Sequence, residues 1–314
     1  SILELAALFA VSVDVLLGYQ LQNTDARQLA EKIHALMLDK RYEEALRESK
    51  KALSKYPNHF DIVYRSADLY HAAGIEQRNH ELLQQARGLL EHSLRLLDQN
   101  TNAQIDEAVI QIQIAKLYAA AGETDRALTH YKKHNWAGIN NGRIGTLLSS
   151  AGRYEEARPY LSASALEQIT ELIQVTIGMS ACAAQTGGPS EAFEVLSWMR
   201  QVLEGLKIPG KVCYLDKADV FLLHLQAQLC ADAGDLPAAK DCLQKAVRTA
   251  RRFDAEPVYT MKNIRFYHEK EHLLLSDSFG ETAMQGLENS ILHGTAESSQ
   301  ILREIWREII NESE

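Results

Sequence analysis

The sequence predicts an all-α protein, a right-handed α-α superhelix of stacked helix pairs. Three observations carry that prediction. A short pattern returns along the 314 residues, in "DKRYEEALRESKKAL", "AGETDRALTHYKKH", "AGRYEEARPYLS", "TGGPSEAFEVLSWM" and "AGDLPAAKDCLQKA". Each copy has a turn, a polar stretch and an alanine, and in all but the first an apolar residue follows four places later. Ahead of most copies lies a second amphipathic helix, such as "AVIQIQIAKLYAAAG" or "KADVFLLHLQAQLCADAG". Composition agrees: six prolines against abundant Ala, Leu, Glu and Gln favour helix, and 46% hydrophobic with 24% charged residues is a globular balance.

Taken in order, the first element is "SILELAALFAVSVDVLLG". Ser1 and Glu4 make a capping box for a helix through about Ala10, and Ser12 caps a second short helix that Gly18 ends. A secretory leader is not expected: no basic region precedes the apolar run, Glu4 and Asp14 interrupt it, and it falls short of the roughly 20 residues a bilayer requires. The repeats follow, with anchoring alanines Ala45, Ala127, Ala157, Ala192 and Ala239 and a weaker member at Ala86. A small residue there lets paired helices approach closely, and a glycine supplies the positive φ that ends the first helix. One pair cannot bury its own apolar face, so successive pairs must stack. Anchor spacings run from 30 to 47 residues, so "GIEQRNHE" and "LEGLKIPGKVCYLDKAD" are expected to add length between pairs. Two last helices are expected near 280–293 and 298–312. There Ile301, Ile305, Trp306 and Ile309 form one stripe, either capping the stack or meeting a second copy.

The repeat resembles the tetratricopeptide repeat, on Tyr118, Gly122, Ala127 and Tyr131 in one copy and Ala52 and Pro57 in another. The repeat's helix-A Trp is missing throughout. The opening stretch resembles the last two helices of a Cro/repressor-type helix-turn-helix domain. Leu5, Ala6, Leu8, Phe9, Val11, Ser12, Asp14, Leu16, Leu17 and Gly18 fall on that family's closing pattern. The family's recognition helix would precede this stretch, so no base-reading residue carries over. Together the two resemblances imply a ligand-sensing and dimerisation region of a bacterial transcriptional regulator, with residues 1–20 the end of a DNA-binding domain. Residues 21–275 would then be the repeat solenoid and 276–314 capping or dimerisation helices. Such a protein is expected to be a cytoplasmic homodimer, without a membrane segment, that meets DNA only through the preceding domain. Its solenoid would take a small ligand, a peptide or a protein partner.

In standard repeat register the concave lining includes His34, Tyr64, Asp68, Lys116, Thr146, Gln174, His224 and Gln228. A mixed lining of this kind suits a peptide, although these are also ordinary solvated positions of a solenoid. In "GINNGRIG", Asn140 and Asn141, with Arg143, either clamp a peptide main chain or cap a helix. "HEKEH" matches HExxH, with His268 and His272 as zinc ligands, Glu269 as base and Glu288 or Glu297 as third ligand. A charged helix face explains the same letters, and a zinc hydrolase is carried only as an alternative. His130 and His134 sit four apart without an acidic or cysteine partner at suitable spacing. No phosphate loop, dinucleotide fingerprint or nucleophile elbow is present, so neither an enzyme nor a cofactor is expected. A formal charge of −9 argues against a surface devoted to nucleic acid. Cys182, Cys213, Cys230 and Cys242 lack metal spacing and read as reduced thiols. The remaining alternative is a tetratricopeptide-like interaction scaffold with no DNA role.

Overall fold

The computed structural model describes residues 9, 19–267, 275–294 and 298–312, omitting the side chains of 19–24. The two helices expected before Gly18 therefore lie outside the described residues, apart from Phe9, which is 62% exposed. The described residues are helical with no strand, and the only pairing of extended backbone is an isolated antiparallel bridge between Lys207 and Ile264. The expected all-α fold of paired helices is what the structure has. Its backbone divides into two compact units, 1–153 and 154–314.

The first unit holds α1 (Tyr19–Leu38), α2 (Tyr42–Lys55), α3 (Phe60–Glu76), α4 (His80–Arg95), α5 (Glu107–Ala120), α6 (Thr124–Lys133) and α7 (Asn141–Ser150). Each helix packs on the next, and α1 also on α3, as in stacked hairpins. The side chain of Asn79 accepts from the backbone N–H groups of Glu81 and Leu82, and Asp106 accepts from that of Val109, which fixes the starts of α4 and α5. The anchoring alanines Ala45, Ala86 and Ala127 are fully buried, as the repeat requires. The stretch "GIEQRNHE" adds no loop. Helix α3 runs on to Glu76 and α4 starts at His80, so the extra length is helix. The turns after α5 and α7 place Gly122 and Gly152 at positive φ. The turns after α1 and α3 put Lys40 (φ 56°) and Arg78 (φ 52°) at that point instead. Gly74 serves a different purpose: a Cβ there would lie 2.7 Å from Leu83 Cδ2 and 3.1 Å from its backbone nitrogen. Its absence sets the close approach of α3 to α4.

The second unit holds α8 (Tyr154–Thr186), α9 (Pro189–Leu206), α10 (Tyr214–Asp232), α11 (Leu236–Ala255), α12 (Ala283–Leu292) and α13 (Ser299–Asn311). Two helices that the repeat pattern separates are fused in α8, whose 33 residues span about 50 Å. Between Pro159 and Thr186 the sequence offers no turn signal, only an isolated Gly178, so nothing stops the helix until Gly188 at φ 95°. Ala157, Ala192 and Ala239 are again buried. The two closing helices lie where expected. Leu302, Ile305, Trp306 and Ile309 are buried against α10 and α11, with Ile301 packed beside them, so this stripe caps its own unit. Asp254, at the end of α11, accepts from the backbone N–H groups of Ala283 and Met284 at 2.9 Å each, tying α12 to the unit. Cys213, Cys230 and Cys242 are buried, Cys182 is exposed, and all four are free thiols.

One buried ionic network crosses α9 and α10. Arg200 grips Asp219 with two hydrogen bonds of 2.7 and 3.3 Å and reaches Gln226 Oε1 at 3.1 Å. Lys207, 7% exposed, sits 3.0 Å from Asp216 and 3.9 Å from Asp219. Burial works against its charge, but Asp219 and Asp216 outweigh that and hold its pKa above the usual lysine range. Every charge in this network meets an opposite one.

Candidate binding clefts

Two places gather polar groups that the fold leaves underused, one in each unit. In the first unit they lie along α3. Tyr64 is 5% exposed, stacks on Phe60 with ring centroids 5.5 Å apart, and accepts a 2.9 Å hydrogen bond from Gln113 Nε2 of α5. One turn on, the Asp68 side chain keeps 22% of its surface, and its nearest cation, Arg65 Nη1, is 3.9 Å away. Burial pushes the Asp68 carboxyl up to about 6, and the charges of Arg65 and Lys116 only partly offset it. Burial, together with Lys116, lowers the pKa of His71, while burial and Arg65 lower that of His34. The Nδ1 atom of His34 and the Oε1 atom of Gln113 are buried with no partner. A carboxylate short of solvent and lacking a close donor can accept from a ligand N–H.

In the second unit an apolar cleft of about 390 Å³ opens between α8 and α10. Ile169, Ile173 and Ile177 come from α8 at helical spacing, which puts them on one face. Ala218 and Phe221 of α10 and Phe279 from the segment before α12 complete the apolar wall, and Gln174 and Thr170 stand exposed at its edge. One end is polar. Asp277 accepts from the Tyr214 hydroxyl, from the Phe279 backbone N–H at 2.9 Å, and from Lys217 Nζ at 3.1 Å. Burial opposes the charge of Asp277, but these donors prevail and its pKa lies below the usual carboxylate range. Burial, with the Asp277 carboxylate next, drives the Tyr214 hydroxyl well above the ordinary tyrosine range. These contacts fix the 277–280 segment on α10, where Lys217 also donates to Gly280 O.

Beside this cleft a smaller cavity of about 190 Å³ is lined by His224 and Gln228 of α10 with Ile291 and Leu302; Ser290 borders both spaces. His224 is 6% exposed, its Nδ1 has no partner, and burial lowers its pKa to about 4.

The structure thus groups Tyr64, Asp68 and Lys116, with His34 linked to them through Arg65. It places Gln174 at one cleft and His224 with Gln228 at its neighbour. Thr146 stands exposed on α7 apart from these groups. Asn140, Asn141 and Arg143 are committed internally. Asn140 is fully buried, and its Nδ2 donates to His134 O at 2.9 Å and Tyr131 O at 3.4 Å, closing the end of α6. Asn141 Oδ1 accepts from Asn135 Nδ2 at 2.8 Å, and Arg143 donates to Asn140 Oδ1 and Ile139 O, both at 3.2 Å. Of the two sequence readings, helix capping is nearer, but the helix capped is the preceding one and the end its C-terminus. Both ring nitrogens of His134 are buried without partners, with Trp136 edge-on at 5.4 Å. Among the described residues no three His, Cys, Asp or Glu side chains are placed to hold a metal. His268 and His272 lie outside the described residues. No helix among the described residues is long and apolar enough to cross a membrane.

Sequence reasoning missed Arg65, His71 and Gln113 in the first cluster. In the second it missed Tyr214, Lys217, Phe221 and Asp277. The α10 members sit at i, i+3 and i+7, a helical-face signal readable from the sequence, but Asp277 arrives from a distant segment.

No family model matches the chain, and no curated protein matches it. Among solved structures it is similar to a chain in the structure of Naa15/Naa10 bound to HypK-THB, at 14% identity and a TM-score of 0.30. That match covers 92% of this chain and 42% of the other, so this chain spans less than half of that protein's length.

Proposed function

We propose that the chain is a protein-interaction repeat module, and that the cleft between α8 and α10 receives a polypeptide segment by its apolar side chains. The make-up of that cleft carries the reading. Ile169, Ile173, Phe221 and Phe279 offer a lipophilic wall, and Gln174 with the Tyr214–Asp277 pair offers hydrogen-bonding groups at the rim. This division suits side-chain anchors in the cleft and main-chain bonds at its edge. Lys217 is already engaged by Asp277, which leaves no free charge to select a small ion. The work is done by binding, with no catalytic step.

A random peptide library selected on the full chain tests this. Peptides with apolar anchors should be enriched on the wild type and lost on Thr170→Trp or Gln174→Trp, exposed positions where indole would fill the cleft mouth. Peptides that bind all three proteins alike would sink the assignment.

The closing pattern in residues 5–18 favours a second reading. In it the module belongs to a Cro/repressor-type regulator, works as a homodimer in the cytoplasm, and alters the placement of paired DNA-binding heads when its cleft is filled. The ligand must then bind two conformations with different affinity. Duplexes selected from a random pool by the natural protein, with and without a cleft-binding peptide, decide this. Absence of any enriched sequence removes the DNA role and leaves the interaction module standing.

A further inference from the structure

A third space in the 154–314 unit, a cavity of about 710 Å³, lies at the end of α11 against the loops 207–213 and 256–264. Three cationic side chains, Lys211, Arg252 and Lys262, line it against one carboxylate, Glu256. None of these four makes an ion pair with a described residue. The chain carries 42 acidic against 33 basic residues, so three unpaired cations around one concavity run against its general charge. Arg248, also without an ion pair among the described residues, stands one turn before Arg252 on the same helix face. A cation in the last turn of a helix offsets its dipole, which accounts for Arg252 alone. Lys211 and Lys262 are exposed on the two loops, outside the last turn of any helix.

The rim is built rather than loose. Ile208 N–H donates to Asn263 O at 3.1 Å, Arg265 N–H to Leu206 O at 2.7 Å, and Asn263 Nδ2 to Val212 O at 2.7 Å. Asn263 itself is held at φ 65°, a left-handed conformation that asparagine tolerates better than most non-glycine residues. The two loops are thereby cross-braced, and both lysines are carried on them.

We propose that this cavity binds a small organic molecule bearing a phosphate monoester. Three cations and one carboxylate leave a surplus of two positive charges, which matches a phosphomonoester dianion near neutral pH. The Arg252 guanidinium can take two phosphate oxygens while the lysines act as point charges. The space exceeds a bare phosphate, and Val212, Pro257 and Val258 supply apolar surface for the rest of the molecule. A nucleic-acid duplex needs a row of cations along a surface, which a single concavity does not provide. The proposal is independent of the polypeptide cleft, whose apolar wall is built by α8, α10 and the segment before α12.

Calorimetric titration of the full chain with phenyl phosphate, and with benzyl alcohol as its uncharged comparison, tests the site. Phenyl phosphate should bind saturably and benzyl alcohol should not. Arg252→Gln and Lys262→Gln should each weaken binding about fivefold, the loss of one close charge near water, and together about 25-fold. Lys240→Gln, on the same helix but already engaged with Glu308 and Glu312, should leave it unchanged. Circular dichroism of each variant establishes that the helices persist. Three outcomes overturn the proposal: no saturable binding by the wild type, equal weakening in Lys240→Gln, or equal binding of benzyl alcohol. A DNA duplex that binds through the same arginine and lysine while phenyl phosphate does not would reassign the patch to nucleic acid.

Discussion

Acidification should unfold the second unit by way of His224. This ring is buried beside Leu302 and Ile291, its Nδ1 lacks a partner, and its pKa falls from 6.5 to about 4 by burial alone. The unfolded chain therefore takes up a proton that the folded unit refuses. Stability is fully present above pH 6.5 and is lost as pH falls toward 4, where the unfolded state binds more protons. A displacement from 6.5 to about 4 corresponds to about 3 kcal/mol, since each pKa unit is worth about 1.4 kcal/mol. Among the described groups of this unit with a displaced pKa, only His224 titrates in that window, because Asp277 is already held below the usual carboxylate range. Urea unfolding of a Trp136→Phe background, whose remaining tryptophans Trp198 and Trp306 both lie in this unit, with hydrogen exchange along α10, reads the unit directly. His224→Leu keeps the bulk and removes both the titration and the unpartnered nitrogen. It should flatten the pH dependence and leave stability near pH 7 equal or higher. An equally steep acid loss in wild type and His224→Leu would refute the reasoning.

Three further outcomes follow from the first unit. Asp68 has the opposite sign to His224: its pKa, raised from 3.8 to about 6, makes its charge a liability above pH 6 and none below 3.8. Asp68→Asn should therefore stabilise α3 by up to about 3 kcal/mol near neutral pH, with the gain vanishing in acid, as measured by hydrogen exchange. Gly74→Ala should lower the urea midpoint by the equivalent of about 1–3 kcal/mol, because the added methyl meets Leu83 on the facing helix. Arg78→Gly should raise it by about 1 kcal/mol, since Arg78 holds the left-handed turn position at φ 52°. An unchanged midpoint in either glycine variant would show that neighbouring residues absorb the strain.

The anchoring alanines were legible because the physics behind them is local. A small residue facing a paired helix leaves the same mark in every copy, and Ala45, Ala86, Ala127, Ala157, Ala192 and Ala239 are all buried. The closing stripe through Trp306 was legible for the same reason, as helical periodicity. What escaped was whatever depends on the absence of a signal or on distant partners. The fusion of two helices into α8 follows from the lack of a turn signal between Pro159 and Thr186, which pattern matching against a repeat passes over. The Tyr214–Lys217–Asp277 group is assembled across 63 residues, and the Arg200–Asp219–Lys207 network joins two helices whose register no spacing rule predicts. Asn140 read either as a peptide clamp or as a helix cap, and it is spent on the end of the preceding helix, α6.

Burial alone does not separate the polar groups of this chain that are spent on one another from those that are not. Lys207, Asp216 and Asp219 are among the buried charges that a search by burial finds first, with Arg200 half-buried beside them. Yet their geometry answers each charge with another, and Lys207 stays protonated against its own desolvation. Removing one partner from such a network costs stability and tells nothing about a ligand. Asp68 differs in kind. It keeps its charge in a setting that disfavours it, with Arg65 at 3.9 Å, too far for a close hydrogen bond, and with Gln113 Oε1 unpartnered on the neighbouring helix. An asparagine would hold the same place at lower cost. Any N–H donor that filled that acceptor would relieve the cost of the buried charge.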